Sequence, residues 1–472
     1  MKLLLPALLT LLLVSEPSFS NNLTTTDCHL KNLPNLAECF SLERLENPND
    51  PNSKTFTLHA ARLTALTPSQ KSPLVFLAGG PGQSAIEVGG QVGLVLKALL
   101  ADRDIVFLEQ RGTGDSNGFT CVAEDEDIYA DLFNVSMSRE LAKSCIDAFT
   151  GDLSQYNTPN AIDDFAAMVQ VMGYEKINVY GGSYGTRAAL VFMRAYPNLI
   201  DSVILDSIAP VQSIVGPFAS HGYRALNLLF DECEATPDCN NTYPQLRQNY
   251  WALWQTVEQA PIDTTIYHPT SLQPQRFQLD PSKLFQLTMS NLYSQQQRQL
   301  LPVVFNQAHQ KNYAPMAGLL AASGDNGIYS GLMVNIVCNE DIRRATPAQL
   351  QQDTNTPFGD VSIKFWQSLC ETWPAYALND DYYLPIKSDI PVLALSGELD
   401  PVTPPAWGNL AVEHLPNATH LIAKNAGHIV GLKGCGPKLV RQFLNQPNQP
   451  LENADCLAKL PMVKFMRSIN AH

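Results

Sequence analysis

Gly181-Gly182-Ser183-Tyr184-Gly185 is a G-x-S-x-G stretch between a short apolar run and a helical pattern. A turn this tight needs residues without bulk around the serine. It lifts the Ser183 hydroxyl clear and sets the Tyr184 N–H at a helix start, where it can stabilise an oxyanion. A serine nucleophile needs a base, and the base needs an orienting acid. Asp400 stands in Ser396-Gly397-Glu398-Leu399-Asp400-Pro401, after the run Val392–Leu395. His428 stands in Asn425-Ala426-Gly427-His428, after Thr419–Ala423. Glu398 is the rival acid, but Asp400 lies further past its run, where a loop can face the histidine. His414 falls in a helical pattern and His420 starts a strand, so both read as surface or structural histidines. Gly79-Gly80-Pro81-Gly82 follows another apolar run. Glycines there let backbone N–H groups approach a substrate carbonyl, and Gly79 gives a second oxyanion donor. No Gly-Lys-Ser/Thr follows them, which excludes a phosphate loop, and no G-x-G-x-x-G suggests a dinucleotide.

The elements that must position these residues recur along the chain. Leu74–Ala78, Asp104–Leu108, Ile177–Tyr180, Ser202–Leu205 and Val392–Leu395 are short apolar runs, each ending in a glycine-rich or polar turn. Runs without alternation read as strands buried on both faces, hence a parallel sheet covered by helices. Pro159 to Gly173 and Thr186 to Tyr196 are the helical patterns between them. The expected fold class is α/β, a doubly wound, mostly parallel sheet whose sites lie beyond the carboxyl ends of its strands. Between Pro210 and Pro391 no core strand is evident. Helical patterns at Tyr223–Cys233, Leu246–Ala260 and Leu284–Leu292 point to an inserted cap over the active edge. The expected division is a core of 21–211 and 387–472, with a helical cap at 212–386. Arg111, between Glu109 and Asp115, reads as a buried loop tie. Thr403 before Pro404 reads as a helix N-cap.

Composition narrows the partners and the compartment. The 472 residues are 45% apolar and 16% charged, as in a globular protein, and the net charge of −14 disfavours nucleic acid. Residues 1–20 have the layout of a secretory signal peptide: Lys2, the apolar run Leu3–Val14, then Ser18 and Ser20 before the cut. Export to the periplasm or the outside is expected, with no stable membrane insertion after cleavage. The ten cysteines show no metal-ligand spacing. In an oxidising compartment, nearest-neighbour bridges are the simplest pairing: Cys28–Cys39, Cys121–Cys145, Cys233–Cys239, Cys338–Cys370 and Cys435–Cys456. No metal or cofactor is called for, and a monomer is expected.

Gly79-Gly80-Pro81-Gly82, Glu109-Gln110-Arg111-Gly112-Thr113-Gly114-Asp115-Ser116 and Gly181-Gly182-Ser183-Tyr184-Gly185-Thr186 resemble, in order, three motifs of the proline iminopeptidase and tripeptidyl aminopeptidase branch of the α/β-hydrolases. The resemblance runs from roughly Cys39 to the C-terminus, including a TAP-like C-terminal region. It implies a serine exopeptidase acting on peptides with free N-termini. It makes Ser183, Asp400 and His428 the triad, with Gly79 and Tyr184 as oxyanion donors. Ala78 stands where proline iminopeptidases usually carry His, which speaks against proline specificity, and the size, secretion, cysteine content and paired motifs more closely resemble the tripeptidyl side. The alternatives are a carboxylesterase or lipase on the same triad, and a binding protein that has lost catalysis. The last would be expected to lack a triad member. A site that demands a free α-amino group needs a carboxylate at a fixed distance from the serine. Glu340, in Val337-Cys338-Asn339-Glu340-Asp341, is the candidate, because a bridge at Cys338 would hold that segment rigid. Asp341 and the run Asp231, Glu232 and Glu234 are alternatives, and a cap-surface carboxylate or an internal ion pair is the competing role for Glu340.

Overall fold

The computed structural model describes residues 23–121, 135–267, 271–322 and 327–468. The expected signal peptide, 1–20, lies outside them. Nine strands form one sheet: β1 (Thr24–His29), β2 (Leu36–Leu45), β3 (Thr55–Leu63), β4 (Leu74–Leu77), β5 (Ile105–Leu108), β6 (Ile177–Gly182), β7 (Ile200–Asp206), β10 (Val392–Gly397) and β11 (Ala418–Ala423). Their order is β1-β2-β3-β5-β4-β6-β7-β10-β11. From β5 to β11 every pairing is parallel; β1, β2 and β3 add an antiparallel ribbon. β5 lies on one side of β4 and β6 on the other, so the chain order reverses at β4. In open α/β sheets, that reversal opens a crevice beyond the carboxyl ends of the strands. Gly79 and Ser183 stand at those ends.

The apolar runs of β4, β5, β6 and β10 are buried along their whole length, because helices cover both faces. On one face α3 (Thr158–Val171) and α4 (Tyr184–Ala195) pack Phe165, Val169, Leu190 and Phe192 against Val75, Val179 and Val203. On the other, α1 (Ala85–Val95) and α16 (Gly436–Asn445) place Val92, Val440 and Phe443 with Phe107, Tyr180 and Leu395. Asn157 accepts from the Asn160 N–H and so caps α3, and Pro159 sits in its first turn.

Between β7 and β10 the chain forms helices from α5 (Ala219–Ala235) through α7 (Leu246–Gln259) and α8 (Pro281–Leu292) to α14 (Val361–Thr372). These segments share an apolar cluster of their own, with Leu229, Phe230, Trp254, Phe285 and Phe305 buried. They also carry a feature absent from the sequence reading, an antiparallel hairpin of β8 (Ile262–Tyr267) and β9 (Pro274–Leu279). It does not join the main sheet. All five nearest-neighbour disulfides are present. No helix among the described residues is long and apolar enough to cross a membrane.

Candidate active site

Ser183 links β6 to α4 with φ 55° and ψ −124°, a backbone conformation that a non-glycine residue adopts only when its surroundings force it. The forcing is local. A Cβ on Gly181 would fall 2.2 Å from the Gly185 carbonyl oxygen, and one on Gly185 would fall 2.2 Å from that of Leu77. Only glycines at these two positions let β6, α4 and β4 approach this closely. The Tyr184 N–H lies in the first turn of α4, where N–H groups have no intrahelical partner. Gly79 passes beside the serine: a Cβ there would sit 3.6 Å from Ser183 Oγ. In this structure the Gly79 N–H points to the Gln83 side-chain oxygen at 3.4 Å.

Asp400 is wholly buried on the loop after β10. Its Oδ1 accepts the N–H groups of Val402 and Thr403 at 3.0 and 2.8 Å. Its Oδ2 accepts the Thr403 hydroxyl at 2.7 Å and His428 Nδ1 at 2.8 Å. Burial alone would raise this carboxyl; the imidazole beside it and these donors outweigh burial and hold it below the ordinary carboxylate range. A carboxylate on Nδ1 leaves Nε2 as the ring's working nitrogen. Glu398, the rival acid, instead accepts the Asn425 N–H at 3.0 Å. His420 bonds Ser396 and Asn409 away from this pair. Thr403 is not a helix N-cap. Pro404 takes that position before α15 (Pro405–Val412), which frees the threonine hydroxyl for Asp400 and leaves it 3.2 Å from His428 Nδ1.

The serine and histidine turns meet on Asp206, the last residue of β7. Its carbonyl accepts the Ser183 N–H at 2.9 Å, and its carboxylate accepts the Val430 and Gly431 N–H groups at 2.7 and 2.8 Å. Two residues of the inserted segment brace the same loops. The Arg224 guanidinium, on α5, donates to the carbonyls of Glu398 at 2.8 Å and Asp400 at 2.6 Å. Tyr293, after α8, accepts the His428 N–H at 2.8 Å and sets its ring edge-on to the imidazole, with centroids 5.1 Å apart. None of these three was singled out from sequence for a role at the site.

Glu340 occupies a different place from the one expected of a substrate-facing carboxylate. It is wholly buried, with its oxygens taken by the Thr158 N–H at 2.8 Å, the Thr158 hydroxyl at 2.7 Å and the Tyr382 hydroxyl at 2.7 Å. All these partners are protein groups, so here it is an internal tie to the start of α3. Burial pushes its carboxyl above the ordinary range, against the pull of those hydrogen bonds and of Arg187. Asp341 is equally buried and ion-paired with Arg187 of α4 at 2.8 Å. Asp231 and Glu234 pair with Arg247, and Glu232 with Arg298, all within the inserted segment. Arg111 is a buried tie as expected, but to Asp164 at 2.7 and 3.0 Å rather than to its sequence neighbours. Among the described residues no cluster of side chains could hold a metal ion.

The chain is similar to several known proteins. Residues 355–456 match the family described as TAP-like protein. The tripeptidyl aminopeptidase of Streptomyces lividans is 25% identical over 194 residues, covering 38% of this chain and 36% of that protein. The serine protease Hip1 of Mycobacterium tuberculosis is 27% identical over 212 residues, 41% of each. The matches thus span about two fifths of those relatives' length. A thermophilic esterase from Thermogutta terrifontis aligns over 87% of this chain and 99% of its own, at 12% identity and a TM-score of 0.38. A mostly parallel sheet with a serine elbow at its switch point gives this chain the α/β-hydrolase fold, and its residues 355–456 are similar to the TAP-like family.

Proposed function

We propose that the protein is an exported serine aminopeptidase of the tripeptidyl type. The observation that carries the reading is the meeting of a strained serine turn and a carboxylate-bonded histidine loop at one strand end. Ser183 attacks the scissile carbonyl as His428 takes its proton through Nε2. Asp400 holds the tautomer and stabilises the imidazolium. The Tyr184 and Gly79 N–H groups receive the developing oxyanion, the substrate oxygen displacing the Gln83 side chain from Gly79. His428 then protonates the leaving amine, and water releases the acyl group by the reverse sequence. Residues 212–386 act as a cap over this edge, between the core parts 21–211 and 387–472.

Peptide substrates are favoured over simple esters because the matched relatives are named as peptidases. Export is supported by five disulfides, which persist in oxidising compartments, and by the leader-like residues 1–20. The test is release of N-terminal fragments from matched peptides with free and acetylated N-termini. Cleavage of the free peptides alone is expected. Comparable cleavage of both, or turnover of esters only, would overturn the aminopeptidase reading.

A further inference from the structure

Asp206 exchanges no proton in the mechanism above, yet it touches both halves of the site. Its carboxylate is wholly buried and receives three donors: the Val430 N–H on Oδ1, and the Gly431 N–H and Tyr180 hydroxyl on Oδ2. Its two backbone partners can only donate, which favours the ionised carboxylate. The residue just before these N–H groups is Ile429, at φ 63°. A β-branched side chain takes that conformation only under constraint. The Ile429 N–H is itself held by the Ser207 hydroxyl at 2.7 Å. Three successive N–H groups directly after His428 are therefore gripped by the end of β7, whose Asp206 carbonyl also holds the Ser183 N–H.

We propose that Asp206 is a positioning residue whose carboxylate locks the His428–Gly431 turn onto the serine turn and whose charge favours the imidazolium formed during catalysis. Burial pushes the Asp206 carboxyl above its ordinary range, while the Tyr180, Val430 and Gly431 donors and the nearby His428 pull against that rise. Other groups face the turn as well. Asp400 lies on the acid loop, Tyr293 comes from the inserted segment, and the Lys433 ammonium donates to the His428 carbonyl at 2.7 Å. Arg224 approaches the Asp400 loop. Asp206 thus holds the turn that follows His428, while Asp400 bonds its ring.

The test reads the second-order rate of Ser183 labelling by a fluorophosphonate across pH. That probe needs an activated serine but no free amine, so failure of the aminopeptidase reading alone leaves the measurement intact. Asp206→Asn keeps the shape, removes the charge and turns a donor toward donors. Its plateau rate should fall by up to about 100-fold, the cost of misplacing a reacting group by about 1 Å. Its acid limb should move to lower pH, because the imidazole has lost an anion that favours its protonated form. Tyr180→Phe keeps the charge and loses one donor. While ionised, the carboxylate then acts harder on the imidazole, which moves the acid limb to higher pH. Opposite shifts in the two variants support the proposal. An Asp206→Asn enzyme that labels at the wild-type rate overturns it, as does one that is slow with an unmoved acid limb. Should Asp206→Asn fail to fold, the Tyr180→Phe profile decides: an upward shift supports the proposal, and an unmoved limb overturns it.

Discussion

The turn that carries Ser183 and the loops that carry Asp400 and His428 are held in different ways. The serine turn is built from its own neighbourhood: β6, the start of α4 and the passing backbone of β4, packed so tightly that two glycines are obligatory. The acid and base loops are braced from outside, by Arg224 and Tyr293 of the inserted segment and by Asp206 across the sheet. A nucleophile fixed by the central strands of the sheet is insensitive to what lies over the site. A base and acid held partly by the inserted segment couple that segment's placement to the proposed chemical step. The inserted segment thus helps to hold the acid and the base of the proposed triad.

The largest effect expected within this contrast is on the nucleophile. Ser183→Ala should cost about 10⁶-fold in kcat, as loss of a triad serine does, with no change in Tm, because the turn is held by backbone contacts alone. A fall in Tm would show that the hydroxyl helps to hold the turn. Next comes Arg224→Met, which keeps the apolar stem and removes the donors to Glu398 and Asp400. It should lower kcat by up to about 100-fold at nearly unchanged KM, since a misplaced reacting group slows chemistry more than binding. A raised KM at unchanged kcat would instead make the inserted segment only a substrate wall and dissolve the contrast. The smallest effect sharpens the serine side. Gly182→Ala should be almost neutral in thermal unfolding, because the new Cβ meets only an Ile429 methyl at 3.4 Å. Gly185→Ala, aimed at a backbone oxygen 2.2 Å away, should cost about 1–3 kcal/mol or more. Equal losses would show that the turn's tightness is not where these distances put it.

The same contrast explains what was legible in the sequence. Ser183, Tyr184 and Gly79 announce themselves because each stands in a short glycine-rich motif after an apolar run. The buried parallel strands are equally plain, since burial on two faces demands unbroken apolar runs. β1 was missed because Thr24, Thr25, Thr26 and Asp27 are exposed. β2 and β3 were missed because they mix buried and exposed positions. Hairpin β8–β9 escaped for the same reason, with most of its positions at least partly exposed. Thr403-Pro404 carries a helix-start signal, but a second proline, Pro405, moves the start along and gives the threonine to Asp400. Glu340 shows the limit most clearly. A carboxylate beside a cysteine is visible locally, whereas its closure by Thr158, 182 positions away, is a property of the folded chain. Arg224, Tyr293 and Asp206 act through the same kind of distant contact.

The register between β7 and β10 sets Val203 against Val392, 189 positions later. During synthesis from the N-terminus, the seven strands β1 to β7, which bear Ser183, can assemble long before β10 and β11 exist. Closing so long a loop is also the slow part of folding. The nascent chain therefore carries the proposed nucleophile before its proposed base and acid. A hydrolase ordered in this way is harmless to its surroundings, and to itself, until its last strands dock.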